Sequence, residues 1–117
     1  MRQTNEFVEY LLELLQGIGD VRARAMFGGY GIYHDGIMFA LVADEVLYFK
    51  TDDSNIQDFE ERGLEPFHYQ RGDKQVSMSY SEAPGEVLDD PDELIPWARK
   101  AIDAARRNAP RKRPNKK

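Results

Sequence analysis

The sequence predicts an α+β domain, a two-layer sandwich of an antiparallel sheet packed by helices, in the rough order α-β-β-β-α-β-β-α. Three observations carry that expectation. Apolar residues recur at three- and four-residue spacing near both ends of the chain, Asp35-Gly36 sits between two apolar runs as a two-residue hairpin signal, and Ile37 to Val42 is an unbroken apolar stretch of strand length. A chain of 117 residues makes one domain, placed at 1–105, followed by a basic tail at 106–117 that reads as disordered.

Thr4 or Asn5 can cap a first helix, in which Phe7, Val8, Leu11, Leu12, Leu15 and Ile18 share one face until Gly17 and Gly19 end it. Glu6 and Glu9 suit the positive end of its dipole. Val21 to Met26 reads as a strand. Gly28, Gly29 and Gly31 then relieve positive φ angles or close backbone approach, so a tight turn or bulge is expected there. Tyr30 to His34 and Ile37 to Val42 flank the Asp35-Gly36 turn. Strict alternation sends Ile37, Phe39 and Leu41 one way and Met38, Ala40 and Val42 the other, which places this strand centrally, covered on both sides or on one side by a dimer contact.

Val46 to Lys50 follows as a fourth strand, one more than the rough order allows, with Val21 to Met26 the weakest of the four. Caps at residues 51–54 open a short helix through Ile56, Phe59 and Glu60, which Gly63 and Pro66 close. Phe67 to Gln70 and Gln75 to Tyr80 form a second hairpin. Asp90-Pro-Asp-Glu93 resembles a capped helix start, although Pro96 argues for regular helix only from about Asp92; Leu94, Trp97, Ala98, Ala101, Ile102 and Ala105 form its apolar side.

Hydrophobic residues at 41% and charged residues at 32% describe a soluble globular protein, and no apolar run approaches the ~20 residues that span a bilayer. No membrane association is expected, and a cytoplasmic location follows by default. With no cysteine, disulfides, thiolate catalysis and Cys-based zinc sites are excluded. The net charge of −5 is unevenly distributed: all 21 acidic and nine of 16 basic residues lie in 1–105, a balance of −12, while 106–117 carries +7.

No catalytic set, cofactor site or metal site emerges. His34 and His68 stand in separate segments without ligand spacing, and Asp89, Asp90, Asp92 and Glu93 lack the pattern of a calcium loop and suit helix capping instead. Carboxylate pairs that meet only in space stay open. Gly28-Gly29-Tyr30-Gly31 lacks phosphate-loop spacing and leads into a strand, and no serine sits on a nucleophile elbow. Some of Phe27, Tyr30, Tyr33, Tyr48, Tyr69 and Tyr80 could stack bases, but the acidic body favours core packing or a subunit interface. Arg22 and Arg24, two apart on one strand, share a face and suit an anionic partner or the domain's own carboxylates. Together with Tyr30 and Tyr33 they are the candidate partner surface. Arg106, Arg107, Arg111, Lys112, Arg113, Lys116 and Lys117 are the candidate contacts to nucleic acid or another polyanion.

Arg-x-Met-Phe-Gly-Gly-x-Gly-Ile-Tyr from Arg24 to Tyr33, the Asp35-Gly36 turn with Met-Phe-Ala-Leu-Val after it, Leu47 to Lys50, Glu65-Pro-Phe67, Met78-Ser-Tyr80 and Trp97-Ala98 together resemble the TfoX N-terminal domain family, over about residues 5–105. The combination in this order is specific, and no single piece would suffice. The resemblance implies a fold like that of type III secretion chaperones. Full-length members, known as TfoX or Sxy, regulate natural competence with the cyclic-AMP receptor protein and carry a helical C-terminal domain, so a stand-alone N-terminal domain is expected here.

The resemblance and the charge pattern together imply a non-enzymatic regulatory or protein-interaction domain, with the cyclic-AMP receptor protein as the implied kind of partner and DNA within reach of the tail. The alternative is a small-ligand binder or hydrolase with a pocket between sheet and last helix around Tyr33, Tyr48, Tyr69 or Trp97. A homodimer through the two-sided apolar strand is a further expectation.

Overall fold

The amphipathic stripe near the start of the chain becomes α1, Glu6–Leu14, with Val8, Leu11 and the following Leu15 buried. The computed structural model describes residues 6–26 and 29–108, the side chains of 69–71 and 75–77 excepted, so the expected caps Thr4 and Asn5, Gly28 and residues 109–117 lie outside the described residues. A 3-10 turn at Gln16–Ile18 and Gly19, at φ 85°, lead into β1, Val21–Met26, which pairs along its whole length with β2, Gly29–His34. Then come β3, Ile37–Ala43, β4, Val46–Lys50, α2, Ile56–Glu60, β5, Pro66–Arg71, β6, Lys74–Glu82, and α3, Pro91–Asn108. Four strands thus precede α2, one more than the rough order.

All six strands form one antiparallel sheet in the order β1-β2-β3-β4-β6-β5. The helices lie on one face. Val8 and Leu11 of α1, Phe59 of α2 and Leu94, Ala98, Ala101, Ile102 and Ala105 of α3 join Ile32, Phe39, Ala40, Val42, Leu47 and Phe49 of the sheet in one core. Alanines on α3 let its backbone come close to β3 and β4, where Phe39 and Phe49 fill the space between. Each fully buried phenylalanine contributes roughly 1.5–3 kcal/mol.

α3 starts sooner and ends later than expected. Asp90 Oδ1 accepts the Asp92 N–H at 2.9 Å, so Asp90 caps the helix and Pro91 takes the first helical position. Pro96 is accommodated inside because it is exposed, and the Asp92 carbonyl it leaves without a donor is on the solvent side. Helix continues through Asn108, so Arg106 and Arg107 are helical residues and the expected boundary after 105 falls inside α3.

β3 does not alternate as its sequence suggests. Ile32 pairs with Ala40 but Tyr33 pairs with Met38, so Phe39 is an extra residue on β3 with no partner on β2. Beyond the bulge the parity reverses. Phe39 enters the helix-covered core with Ala40 and Val42, while Met38 joins Leu41 on the other face, correcting the expected grouping of Ile37, Phe39 and Leu41.

The bulge between β2 and β3 is at Phe39, while Met26 opposite Gly29 leaves the expected turn at residues 27 and 28, outside the described residues. Neither Gly29 nor Gly31 takes a positive φ. A Cβ on Gly29 would collide with the Val42 carbonyl, and one on Gly31 would lie 2.8 Å from the Sδ atoms of both Met26 and Met38. Close approach explains both glycines. Positive φ is used in the hairpins, at Asp35 (54°) and Gly36 (82°) and again at Asp44 (52°) and Glu45 (61°), the angles of the tight turns that match strand twist.

Candidate functional site: the helix-free sheet face

Side chains of directly opposed strand residues share a face, so the register defines what the uncovered side of the sheet presents. One row crosses five strands as Arg24, Gly31, Leu41, Tyr48 and Glu82. A neighbouring row holds Arg22, Tyr33 and Met38 on β1 to β3, and Lys50 opposite Tyr80 on β4 and β6. Among the described residues no helix covers this face, yet Leu41 and Tyr80 are each only 6% exposed. Their neighbours shield them.

Gly31 makes the centre of the face low, and Met26, Met38 and the Tyr33 ring close over it, within 2.8 to 3.1 Å of where a Cβ would be. Methionine's flexible thioether suits a surface that must repack against a partner. The Arg24 guanidinium lies 5.7 Å from the Tyr33 ring centre, and the Lys50 ammonium 5.4 Å from that of Tyr80. Neither cation has a carboxylate partner among the described residues. Burial, then the nearby Tyr33 phenol, pushes the Tyr80 hydroxyl up to about 12. Tyr48 packs edge-on against Phe67 at 4.9 Å, and burial followed by the charges of Glu82 and Asp44 raises its pKa. The face is thus basic at its β1 edge and acidic at β6.

Of the expected partner surface, Arg22, Arg24 and Tyr33 are together on this face. Tyr30 is not: alternation along β2 turns it to the other side, where it packs against the helix-covered core. Arg22 Nε donates to Asp20 Oδ1 at 3.1 Å, with its side chain 81% exposed. Local sequence does not group Leu41, Lys50, Tyr80 and Glu82 with them, because only the strand order that places β6 beside β4 unites the face.

Of the tail residues, Arg111, Lys112, Arg113, Lys116 and Lys117 lie outside the described residues, Arg106 is exposed, and Arg107 is engaged. Arg107 Nε and Nη2 donate to Asp52 Oδ2 and Oδ1 at 2.8 and 3.0 Å, and the Asn108 side chain adds a third donor at 3.1 Å. Asp52 also accepts the Ser54 N–H. The Arg107 bonds outweigh the cost of burial, and with Ser54 and Asn108 they hold the Asp52 carboxyl down at about 2. Buried Asn55 joins this knot, donating to the Lys50 carbonyl and accepting the Asp52 N–H. Its effect is to tie the exit of β4 to the start of α2 and the end of α3.

Of the residues expected around a pocket between sheet and last helix, the Tyr69 side chain lies outside the described residues and the other three do not line one site. Tyr33 and Tyr48 are on the helix-free face and Trp97 is on α3 across the sheet, with core packing between. Trp97 instead packs edge-on against Phe59, beneath the Arg62 guanidinium, and lines an open cavity of about 240 Å³ with Asp58, Glu61 and Lys100. His34 Nδ1–H donates to the Gly19 carbonyl at 3.0 Å, and His68 is exposed. Among the described residues no cluster of His and carboxylates could hold a metal, and no helix is long and apolar enough to cross a membrane.

A family model for the TfoX N-terminal domain matches residues 13–105, from within α1 to near the end of α3. The DNA transformation protein TfoX1 of Aliivibrio fischeri (strain ATCC 700601 / ES114) is 26% identical over 98 residues, which cover 84% of this chain and 47% of that protein. The chain therefore spans about half the length of the curated relative it matches.

Proposed function

The chain belongs to the TfoX N-terminal domain family, and from that premise we propose that it is a non-catalytic domain of competence-related regulation which works by holding a protein on the helix-free face of its sheet. The supporting observation is the make-up of that face. Among the described residues, tyrosines, methionines and two cations without carboxylate partners are gathered on a side of the sheet that no helix covers. Aromatic, methionine and arginine side chains are the types enriched where proteins meet. The partner implied by the family is a transcription factor such as the cyclic-AMP receptor protein. DNA contact through residues 106–117 would draw on the six tail cations other than Arg107, since Arg107 is held by Asp52.

Titration of the full chain into purified cyclic-AMP receptor protein, with and without cyclic AMP, tests this by calorimetry. Saturable binding that Tyr48→Ala weakens and Lys100→Ala on the helix side leaves intact is the expected result. Absence of heat with every variant, or equal binding by all of them, would overturn the face as the contact surface.

A further inference from the structure

We infer that the occupant of the helix-free face is a second copy of this chain, packed face to face about a two-fold axis that runs along β3. This rests on the reading of that face as a protein-contact surface and names what it contacts. The argument is the symmetry of its charges. In the row Arg24, Gly31, Leu41, Tyr48, Glu82, the fixed charges are at the two ends and have opposite sign, and Leu41 on β3 is the midpoint, two strands from each. Neither Arg24 nor Glu82 has an ion-pair partner among the described residues.

A two-fold rotation about an axis lying in the interface exchanges left and right across the strands, as a closed dimer interface requires. It sets Arg24 of each copy against Glu82 of the other and Leu41 against its own mate. The second row obeys the same operation: Arg22 meets the second copy's Tyr80, and Lys50 meets the second copy's Tyr33, so cations again face aromatic rings. Gly31, with Met26, Met38 and the Tyr33 ring over it, then lies opposite the second copy's Tyr48, so the adaptable methionines meet an aromatic ring. Strands of the two sheets stay aligned, which is one of the two common ways that sheets pack. A uniformly acidic ligand would suit Arg24 and Lys50 but would be repelled at Glu82 and Asp44, which is why a self-complementary occupant is preferred.

Five strands at ~4.8 Å spacing and about six residues in length offer a footprint of roughly 24 by 20 Å on each copy, so the pair buries on the order of 1,000 Å². That is near the lower limit for a specific interface, and the dimer is expected to be weak and concentration-dependent.

Sedimentation velocity of the full chain from roughly 1 μM to roughly 1 mM tests this, with folding of each variant checked by circular dichroism. Arg24→Glu and Glu82→Arg should each weaken dimerisation by about tenfold or more, because each sets like charges opposite one another twice per dimer. The double charge swap should restore it, and Lys100→Glu on the helix side should leave it unchanged. A dimer indifferent to the charge reversals would place the interface elsewhere and overturn the inference. So would a monomer at every concentration; if that monomer still loses binding to the cyclic-AMP receptor protein on Tyr48→Ala, the face remains a contact surface and only the second copy is ruled out as its occupant.

Discussion

On the helix-covered face, Ile32, Ala40, Val42, Leu47 and Phe49 meet the apolar sides of three helices, whereas on the opposite face Leu41 pairs with Tyr48, and Tyr33 and Tyr80 lie under the charged ends of Arg24 and Lys50. Both sides of the sheet are poor in water at their centres, but by different means. The first uses a second layer of secondary structure and small residues on α3; the second uses long side chains laid over a glycine. Removing an atom from the first leaves a hole among rigid neighbours, while the methionines of the second can move to fill one.

Stability measurements can break that contrast. Phe49→Ala should cost about 3–5 kcal/mol in chemical denaturation, as a fully buried aromatic does, and Tyr48→Ala, one residue earlier and facing the other way, about 1 kcal/mol. Equal losses would mean that the two faces are equivalent cores. A smaller effect sharpens the picture on the helix-free side. Tyr80 is held protonated up to about 12 against a usual value of 10.0. The folded state therefore retains the proton longer than the unfolded chain, so the associated stability, up to about 2 kcal/mol, is complete below pH 10 and declines from pH 10 to 12. Tyrosinate absorbance should show a step near pH 12 that Tyr80→Phe removes; if the native chain lacks that step, the Tyr80 site is wet.

The smallest effect concerns the helix layer. Asp52 falls from 3.8 to about 2 through its bonds with Arg107, Ser54 and Asn108. A depressed carboxyl stabilises the fold above its unfolded value and loses that contribution as pH falls from about 4 to about 2. The Asp52 side chain is 16% exposed and that of Arg107 47%, so solvent screening limits the contribution to about 1 kcal/mol. Hydrogen exchange in the last turn of α3 should speed up over that range in the native chain and be pH-insensitive in Asp52→Asn, beyond the intrinsic exchange rate.

Much of this architecture is legible from local patterns. The stripe in α1, the Asp35-Gly36 turn, the short α2 and the Asp90 cap are readable because each depends on residues a few positions apart. β1 is the weakest expectation and is nonetheless a full strand, since pairing with β2 supports what its own sequence barely signals. Pro96 misleads because proline's cost inside a helix depends on whether the freed carbonyl can reach water, which is a matter of facing. Of the candidate site, Arg22, Arg24 and Tyr33 can be read from one strand pair, while Tyr48, Tyr80 and Glu82 join them only through the crossover that brings β6 to β4. Side-chain parity can be read up to the bulge and not beyond it.

Phe39 is the one residue between Ile37 and Val42 that the ladder with β2 does without. Omit it, and Ala40 still faces Ile32 while Met38 still faces Tyr33, leaving an uninterrupted ladder on either side of an unchanged Asp35-Gly36 turn. The hairpin could thus accommodate one residue fewer without any change of pairing, and what holds the longer version in place is the burial of one benzyl group. A shorter β3 would be the more regular strand and the worse protein, since the space between sheet and α3 would lose one of its largest occupants.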